Sequence, residues 1–420
     1  MEDFYLTGIQ LFSVFFIAAA LFPALPRISS FSSPTFALCM LLFPAMQIAV
    51  EMIKNVITSF FNPSHLPKLD FGMGIPPDCA TLVAVPSLLL NEKQVREVAT
   101  DLEVRYLANR DPHLHFALVT NLPDSASKPH ENDAHPLVDL GIHLIGELNA
   151  KYCSQKGGAF LLLHRRRIFN TREGVWMGWE RKRGKLLDLN KLLSGDANAF
   201  PIKSGGVDLL PKVRYILTPD SDTQLPRGTA ALLVGAIAHP LNQAIIDPKS
   251  RIVVEGYGIL QPRMGITVRS AARSRLAAIY SGQSGFDIYT RAISEPYQDL
   301  FGEGTFAGRG IYEVAILHQV LNRRFPRNAL LSHDLIEGSY ARAGLVTDVD
   351  LVEDYSSHYN AYSRRQHRWL RGDWQIAQWM FSRVPDESGR WRLIQFPAFR
   401  AGKYSTICGD RSSTSFSFYC

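Results

Sequence analysis

The chain of 420 residues predicts an α/β domain on a parallel sheet, set behind an apolar N-terminal region. Three observations carry this. From Thr81 onward, short β-prone runs alternate with helical periods, and strand, helix, strand in that order favours parallel pairing through a covering helix. The stretch Val213-Arg-Tyr-Ile-Leu-Thr-Pro-Asp-Ser-Asp-Thr-Gln-Leu-Pro226 ends a strand in two carboxylates one residue apart, Asp220 and Asp222, at the mouth of a sheet. Phe4 to Leu25 is nearly continuously apolar and long enough to cross a bilayer.

With 46% hydrophobic and 20% charged residues, the chain can bury a large core, as one big domain or two smaller ones. A net charge of +6 and a pI near 9.0, without a Lys/Arg stripe, fit a surface near anionic lipid or a pocket for phosphates. They lend no support to a nucleic-acid partner. The five cysteines lack CxxC spacing and the twelve histidines form no HExxH, which argues against a disulfide framework or a zinc site and fits a reducing compartment.

After Glu2 and Asp3 no charge occurs until Arg27, so the first run is expected as a transmembrane helix. Its acidic start and missing basic n-region set it apart from a cleaved signal peptide. Pro34 opens a second run, Phe36 to Val50, which continues through Glu51 and Lys54 to Phe61 as a second span or as an interfacial helix. Residues 1–62 are thus expected to be two membrane helices, 63–78 a Pro/Gly linker and 79–392 the α/β domain.

Within that domain, Thr81 to Pro86 reads as a buried strand, and Asn91 as N-cap of a helix over Glu92 to Asn109. Phe116 to Thr120 is the second strand, Asp124 to His135 a loop, Leu137 to Tyr152 a helix and Ala159 to Leu163 the third strand. Arg165-Arg-Arg167 and Trp179-Glu-Arg-Lys-Arg-Gly-Lys185 then lead into a helix through Leu193. Basic residues ahead of a helix suit a diphosphate, because the helix N-terminus adds free N–H groups and a positive field; a charge run also serves as a plain solvated face. The acid pair follows on strand Tyr215 to Leu217. Such carboxylates can approach one Mg2+ or Mn2+ whose shell substrate phosphates complete, and the same spacing occurs in turns where Asp caps its own backbone.

The second half is less regular. Helices are expected over Thr229 to Ala238, Ala271 to Tyr280 and Tyr362 to Met380, with a short strand over Arg251 to Gly256. Phe301-Gly-Glu-Gly-Thr-Phe-Ala-Gly-Arg-Gly310 holds too many glycines for a helix interior and reads either as a loop where backbone approaches a ligand or as a turn. Leu331-Ser-His-Asp-Leu-Ile-Glu-Gly338 is expected to end the helix that follows Gly310.

An acid pair, a basic patch, a later acid in a turn and an Arg/Trp-rich helix are the parts that sugar transfer from a nucleotide-sugar needs. A cation neutralises the leaving diphosphate, a carboxylate deprotonates the acceptor hydroxyl, and aromatic rings face sugars. The series Trp176-Met-Gly-Trp-Glu-Arg-Lys-Arg-Gly-Lys185, Pro219 to Arg227, Val254-Glu-Gly-Tyr-Gly-Ile-Leu-Gln-Pro-Arg263, Tyr297 to Gly304, Leu331 to Gly338 and Arg368-Trp-Leu-Arg-Gly-Asp-Trp-Gln375 closely resembles the glycosyltransferase region of the bacterial cyclic β-1,2-glucan synthases. It is more distantly similar to processive synthases of cellulose type. The resemblance spans about Leu66 to Trp391.

The resemblance implies a GT-A-like fold, UDP-glucose as donor, a growing β-1,2-glucan as acceptor, inversion at the sugar, and Mg2+ or Mn2+. Carried over by residue, Asp220 and Asp222 hold metal and diphosphate, while Lys182, Arg183 and Lys185 flank the nucleotide. Asp334 is the general base; its alternative is an N-cap or Asx-turn. Arg368 and Trp369 match the Arg-Trp of the cellulose-type Gln-x-x-Arg-Trp motif, with Arg365 where Gln would stand. Trp374 reads equally as core packing or sugar contact. Family members are thought to prime the glucan on the protein itself, for which the Tyr152 hydroxyl is the first candidate, with Tyr106, Tyr257 and Tyr340 left open.

Two departures accompany the resemblance. Family members are far longer, with further membrane helices and a C-terminal carbohydrate-active region, and residues 393–420 lose any helical or strand period, as a frameshift or gene fragment would. The expected setting is the bacterial inner membrane, lipid-bound, with the catalytic domain facing the cytoplasm. The rival expectations are another metal-dependent nucleotide-sugar enzyme on a similar sheet and a catalytically incomplete fragment that only binds nucleotide.

Overall fold

Eight strands form one twisted mixed sheet: β1 (Thr81–Leu88), β2 (Leu114–Asn121), β3 (Phe160–His164), β4 (Ile202–Gly205), β5 (Tyr215–Leu217), β6 (Ile259–Ile266), β7 (Ile311–Glu313) and β8 (Ala343–Glu353), in the spatial order β8-β6-β7-β5-β1-β2-β3-β4. The computed structural model describes residues 65–129, 135–152, 160–280, 296–330 and 333–394, with scattered positions between 7 and 59. Strands β5, β1, β2 and β3 run parallel. Strand β4 closes one side antiparallel to β3, and β7 is antiparallel to both β5 and β6, while β6 and β8 are parallel with a register shift between Pro262 and Arg263.

The period of two sorts the strand residues into two cores. Val83, Val85, Phe116 and Leu118 face one side and meet α1 (Glu92–Ala108), α2 (Pro136–Tyr152) and α4 (Thr229–Ala238). Leu82, Ala84, Ala117 and Val119 face the other and meet α3 (Arg181–Leu193), α5 (Val314–Leu321), α6 (Asp334–Ala341) and the end of α7 (Tyr359–Ile376). With both faces covered, all eight residues of β2 are buried, as a central parallel strand requires. Asn91 caps α1 as expected, its side chain accepting from Gln94 N at 2.9 Å.

Several expectations are revised. Asp334 opens α6 instead of closing the helix that follows Gly310, because that helix, α5, already ends at Leu321. Ala271 to Tyr280 divides into Val268–Ala271 and Arg275–Tyr280, and α7 stops at Ile376 before a 3₁₀ turn over Ala377–Met380. Ile252–Glu255 pairs with Ile245–Asp247 as a hairpin outside the main sheet. The described part of the expected linker is docked: Leu66 and Ile75 are buried, and Leu69 N donates to Gly235 O at 3.0 Å. His65 Nδ1 lies 2.8 Å from Thr347 Oγ1, and Lys68 pairs with Asp348 at 2.5 Å.

The two expected membrane runs fall largely outside the described residues, as do residues 395–420. Among the described residues no helix is long and apolar enough to cross a membrane.

Candidate active site

A cleft of about 820 Å³ opens where the C-terminal ends of β1 and β2 meet the turn after β5. Open α/β sheets collect ligands at such a place. It gathers Lys182, Lys185, Asp220, Asp222, Asp334, Arg368 and Trp369 from the expected set, and does not include Arg183 or Tyr152.

The acid turn is held from behind. Arg105 on α1 is buried, donating through Nε and Nη2 to Thr223 O at 3.0 and 2.8 Å and through Nη2 to Ser221 O at 2.7 Å. Asp220 does not cap its own backbone. Its Oδ1 accepts from Lys182 Nζ and its Oδ2 from Arg309 Nε at 2.7 Å, while Arg309 Nη2 reaches Glu353 at 2.8 Å. Burial opposes the Asp220 charge, yet Lys182 and Arg309 outweigh it and hold its pKa at about 2. Glu353 moves the other way, pushed up by burial despite Arg309, with Asp222 and Asp220 adding repulsion.

Asp222 is exposed to the cleft. For a hard divalent cation the site therefore offers oxygen donors of the right kind: Asp222 directly, and Asp220 once Lys182 or Arg309 yields an oxygen. That suits an ion that takes most of its shell from phosphate and water. Among the described residues, the one group of three ligand-type side chains is His333, Asp334 and Glu337, with ligand atoms within 4.8 Å of one another. Arg183 lies beside Glu337 there at 3.7 Å, so a metal would meet like charge.

Helix α3 begins at Arg181, so the basic run is its first two turns and not a loop ahead of it. Lys182 and Lys185, three apart, share the cleft face; Arg183 at the next position turns inward. Lys185 Nζ donates to Ser87 O at 2.6 Å, and burial, with Arg165 and Lys182 repelling, lowers its pKa to about 7. Arg183 is 3% exposed, pairs with Glu180 at 2.5 Å and lies 4.8 Å over the Phe325 ring.

Asp334 occupies the first turn of α6, with His333 at the N-cap position, so the expected capping alternative does not describe it. The glycine loop packs directly on it: Gly308 has φ +85°, and a Cβ there would sit 2.8 Å from the Asp334 carboxyl. Gly308 O also accepts from Lys182 Nζ at 2.6 Å. Burial raises the Asp334 pKa, against the pull of His333 and Lys182. Arg365 stacks over Tyr355 and Trp369, 4.9 Å from each ring, inside the cleft. Trp374 is 64% exposed, away from both the core and this cleft.

Tyr152 donates from its hydroxyl to Glu103 Oε1 at 2.5 Å and packs on Tyr106 and Phe160. Tyr106 and Tyr340 are fully buried, and Tyr257 lies under Arg342. Sequence reading missed Arg309, Glu353, Tyr355 and Arg105. Arg309 alone carried a signal, its place in the glycine-rich stretch; the others sit on elements whose packing partners are far away in the chain.

No protein-family model matches the chain. Over 355 residues, 83% of its length, it is 43% identical to the cyclic beta-(1,2)-glucan synthase NdvB of Rhizobium meliloti (strain 1021), of which it spans 12%. The sequence-based resemblance is thereby borne out, and the chain is homologous to one segment, about an eighth in length, of a cyclic β-(1,2)-glucan synthase.

Proposed function

We propose that this chain is a glycosyltransferase that moves glucose from UDP-glucose onto a growing β-1,2-glucan with inversion at the anomeric carbon. The observation that carries the reading is one cleft that brings Asp220, Asp222 and Asp334 together with Lys182, Lys185 and Arg368. The similarity to a glucan synthase supports the choice of sugar.

In this reading Asp334 takes the proton of the acceptor hydroxyl as its oxygen attacks C1, and the bond from C1 to the UDP oxygen breaks on the opposite face. Burial raises the Asp334 pKa above that of an ordinary aspartate, which makes its carboxylate the stronger proton acceptor. Lys182, Lys185 and Arg368 meet the charge of the leaving diphosphate, and Trp369 offers a ring face to sugar. Bound at Asp222 and Asp220, Mg2+ or Mn2+ would supply further neutralisation of that diphosphate. The Phe4 to Leu25 and Phe36 to Phe61 runs are proposed to hold the domain on the cytoplasmic face of a bacterial inner membrane.

The test is UDP release from UDP-glucose by membranes carrying the full chain, with Mg2+, with Mn2+ and with chelator, beside Asp222→Ala and Asp334→Asn. Metal-dependent release lost in both variants is expected. Release that persists in Asp334→Asn removes the base assignment, and tight UDP binding without any release leaves a nucleotide-binding chain.

A further inference from the structure

A group of buried charges that the transfer chemistry above leaves unused runs from the cleft wall, where Glu180 and His333 line it, to Arg183 and Glu337 behind it. Glu180, Arg183, His333 and Glu337 are each at most 8% exposed. Arg183 Nη1 donates to Glu180 Oε2 at 2.5 Å, and Glu180 Oε1 accepts from the backbone N of Asn328, also at 2.5 Å. Arg183 Nε is 3.7 Å from Glu337 Oε1, that same oxygen is 3.2 Å from His333 Nδ1, and His333 Nδ1 is 3.8 Å from Asp334 Oδ1. The chain of contacts starts on α3 and ends at the cleft.

Resting on the assignment of Asp334 as the base, we propose that Arg183, Glu337 and His333 form a buried relay of positioning residues that orients Asp334, so that Arg183 serves the base and not the nucleotide. Isolated charges are expensive to bury; here Arg183 Nη1 is hydrogen-bonded to Glu180, while Arg183 Nε and His333 Nδ1 make no hydrogen bond and meet the Glu337 and Asp334 carboxylates at ion-pair distance only. His333, at the N-cap position, and Glu337 are one helical turn apart, which places the single nitrogen Nδ1 between the Glu337 and Asp334 carboxylates. Phe325 fixes the guanidinium plane from the other side. The geometry separates Arg183 from its neighbours Lys182 and Lys185, which do reach the cleft.

The groups that act electrostatically on Asp334 are His333 and Glu337 from its own helix region, Lys182 from α3 and Asp220 after β5. Of these, His333 and Lys182 favour the ionised Asp334 carboxylate. Removing His333 raises the pH at which Asp334 becomes a working base, which a purely structural ion cluster would not do.

The experiment uses full-length chain in membranes and compares Arg183→Gln, Arg183→Lys, His333→Gln, Glu337→Gln and Asp334→Asn for kcat, KM for UDP-glucose, UDP affinity and the pH profile of kcat/KM. Expected are losses of about 10- to 100-fold in kcat for His333→Gln, Glu337→Gln and Arg183→Gln, with KM and UDP affinity held within about 2-fold, since the lost interactions act on the reacting group and not on donor binding. The acid limb of the His333→Gln profile moves to higher pH, and Arg183→Lys retains more kcat than Arg183→Gln. Retained UDP affinity reports that each variant is folded; should Arg183→Gln not fold, Arg183→Lys against Glu337→Gln carries the comparison. An inactive Asp334→Asn with wild-type kcat and pH profile in His333→Gln and Glu337→Gln overturns the relay while the base stands. Weaker UDP binding in Arg183→Gln at unchanged kcat makes Arg183 a nucleotide contact. Full turnover in Asp334→Asn, or none in the unaltered chain, removes the base and the relay with it.

Discussion

Strands β1, β2 and β5 reach the cleft by their ends: parallel and buried, they deliver Ser87 and Asn121 on backbone that the sheet itself fixes, and β5 leads into the acid turn that Arg105 holds from behind. The β6 to β8 side reaches the same cleft through loops and a helix start, bringing Arg309, Asp334 and Glu353 by way of ion pairs and the close approach of Gly308. One side is positioned by hydrogen-bonded backbone, in the ladders and in the Arg105-held turn, the other by ion pairs between side chains and close packing. The second mode gives up rigidity and gains tunable proton affinities, which suits it to the reacting group, while the first suits a diphosphate that only has to be held.

Four experiments break or sharpen that contrast. The largest effect is expected on the tunable side: Asp334→Asn should cut UDP release by about 10³-fold while calorimetry finds UDP affinity unchanged. On the rigid side, Arg105→Met should cost about 2–4 kcal/mol in denaturant unfolding, because the Ser221 and Thr223 carbonyls lose a buried charged donor; a variant as stable as the parent would show that the acid turn holds itself.

A third experiment follows Lys185. Folding lowers its pKa from 10.5 to about 7, so the folded protein gives up this proton before the unfolded chain does. Stability should therefore rise with pH between about 7 and 10.5. UDP affinity should fall several-fold as pH rises through about 7, and Lys185→Met should flatten that dependence; a slope surviving in Lys185→Met assigns it to another group. The smallest effect is expected at Tyr152→Phe. Its hydroxyl serves Glu103 outside the cleft, so turnover should stay within about 2-fold, and mass spectrometry should find any protein-linked glucan undiminished.

What was readable from the sequence follows the same division. Strands β1, β2 and β5, helices α1 and α2 and the Asp-x-Asp end depend on periods and caps within about twenty residues, so their patterns stand in the local sequence. Strand β6 was hidden because Gln261-Pro-Arg263 breaks its apolar run, although the Pro262 and Arg263 positions coincide with the register shift against β8. The charged pattern of β8, with Asp348, Asp350 and Glu353, likewise masked a strand whose acids pair with Lys68, Arg263 and Arg309. Arg183 was grouped with Lys182 and Lys185 by adjacency; only the 3.6-residue turn of α3 separates them. No local pattern could connect Arg183 with Glu337, whose partnership exists only in three dimensions.

The tie between the docked segment near His65 and strand β8 also has a consequence in time. His65 and Thr347 are 282 residues apart, and at roughly 5–20 residues per second of synthesis, roughly 15–55 s separate their emergence from the ribosome. Until β8 arrives, the His65 and Lys68 side chains lack their final partners, while β1 can already pair with β2. The nascent chain is thus expected to hold its first βαβ unit together while its opening segment stays unlatched, a window in which a chaperone or the insertion machinery would find it accessible.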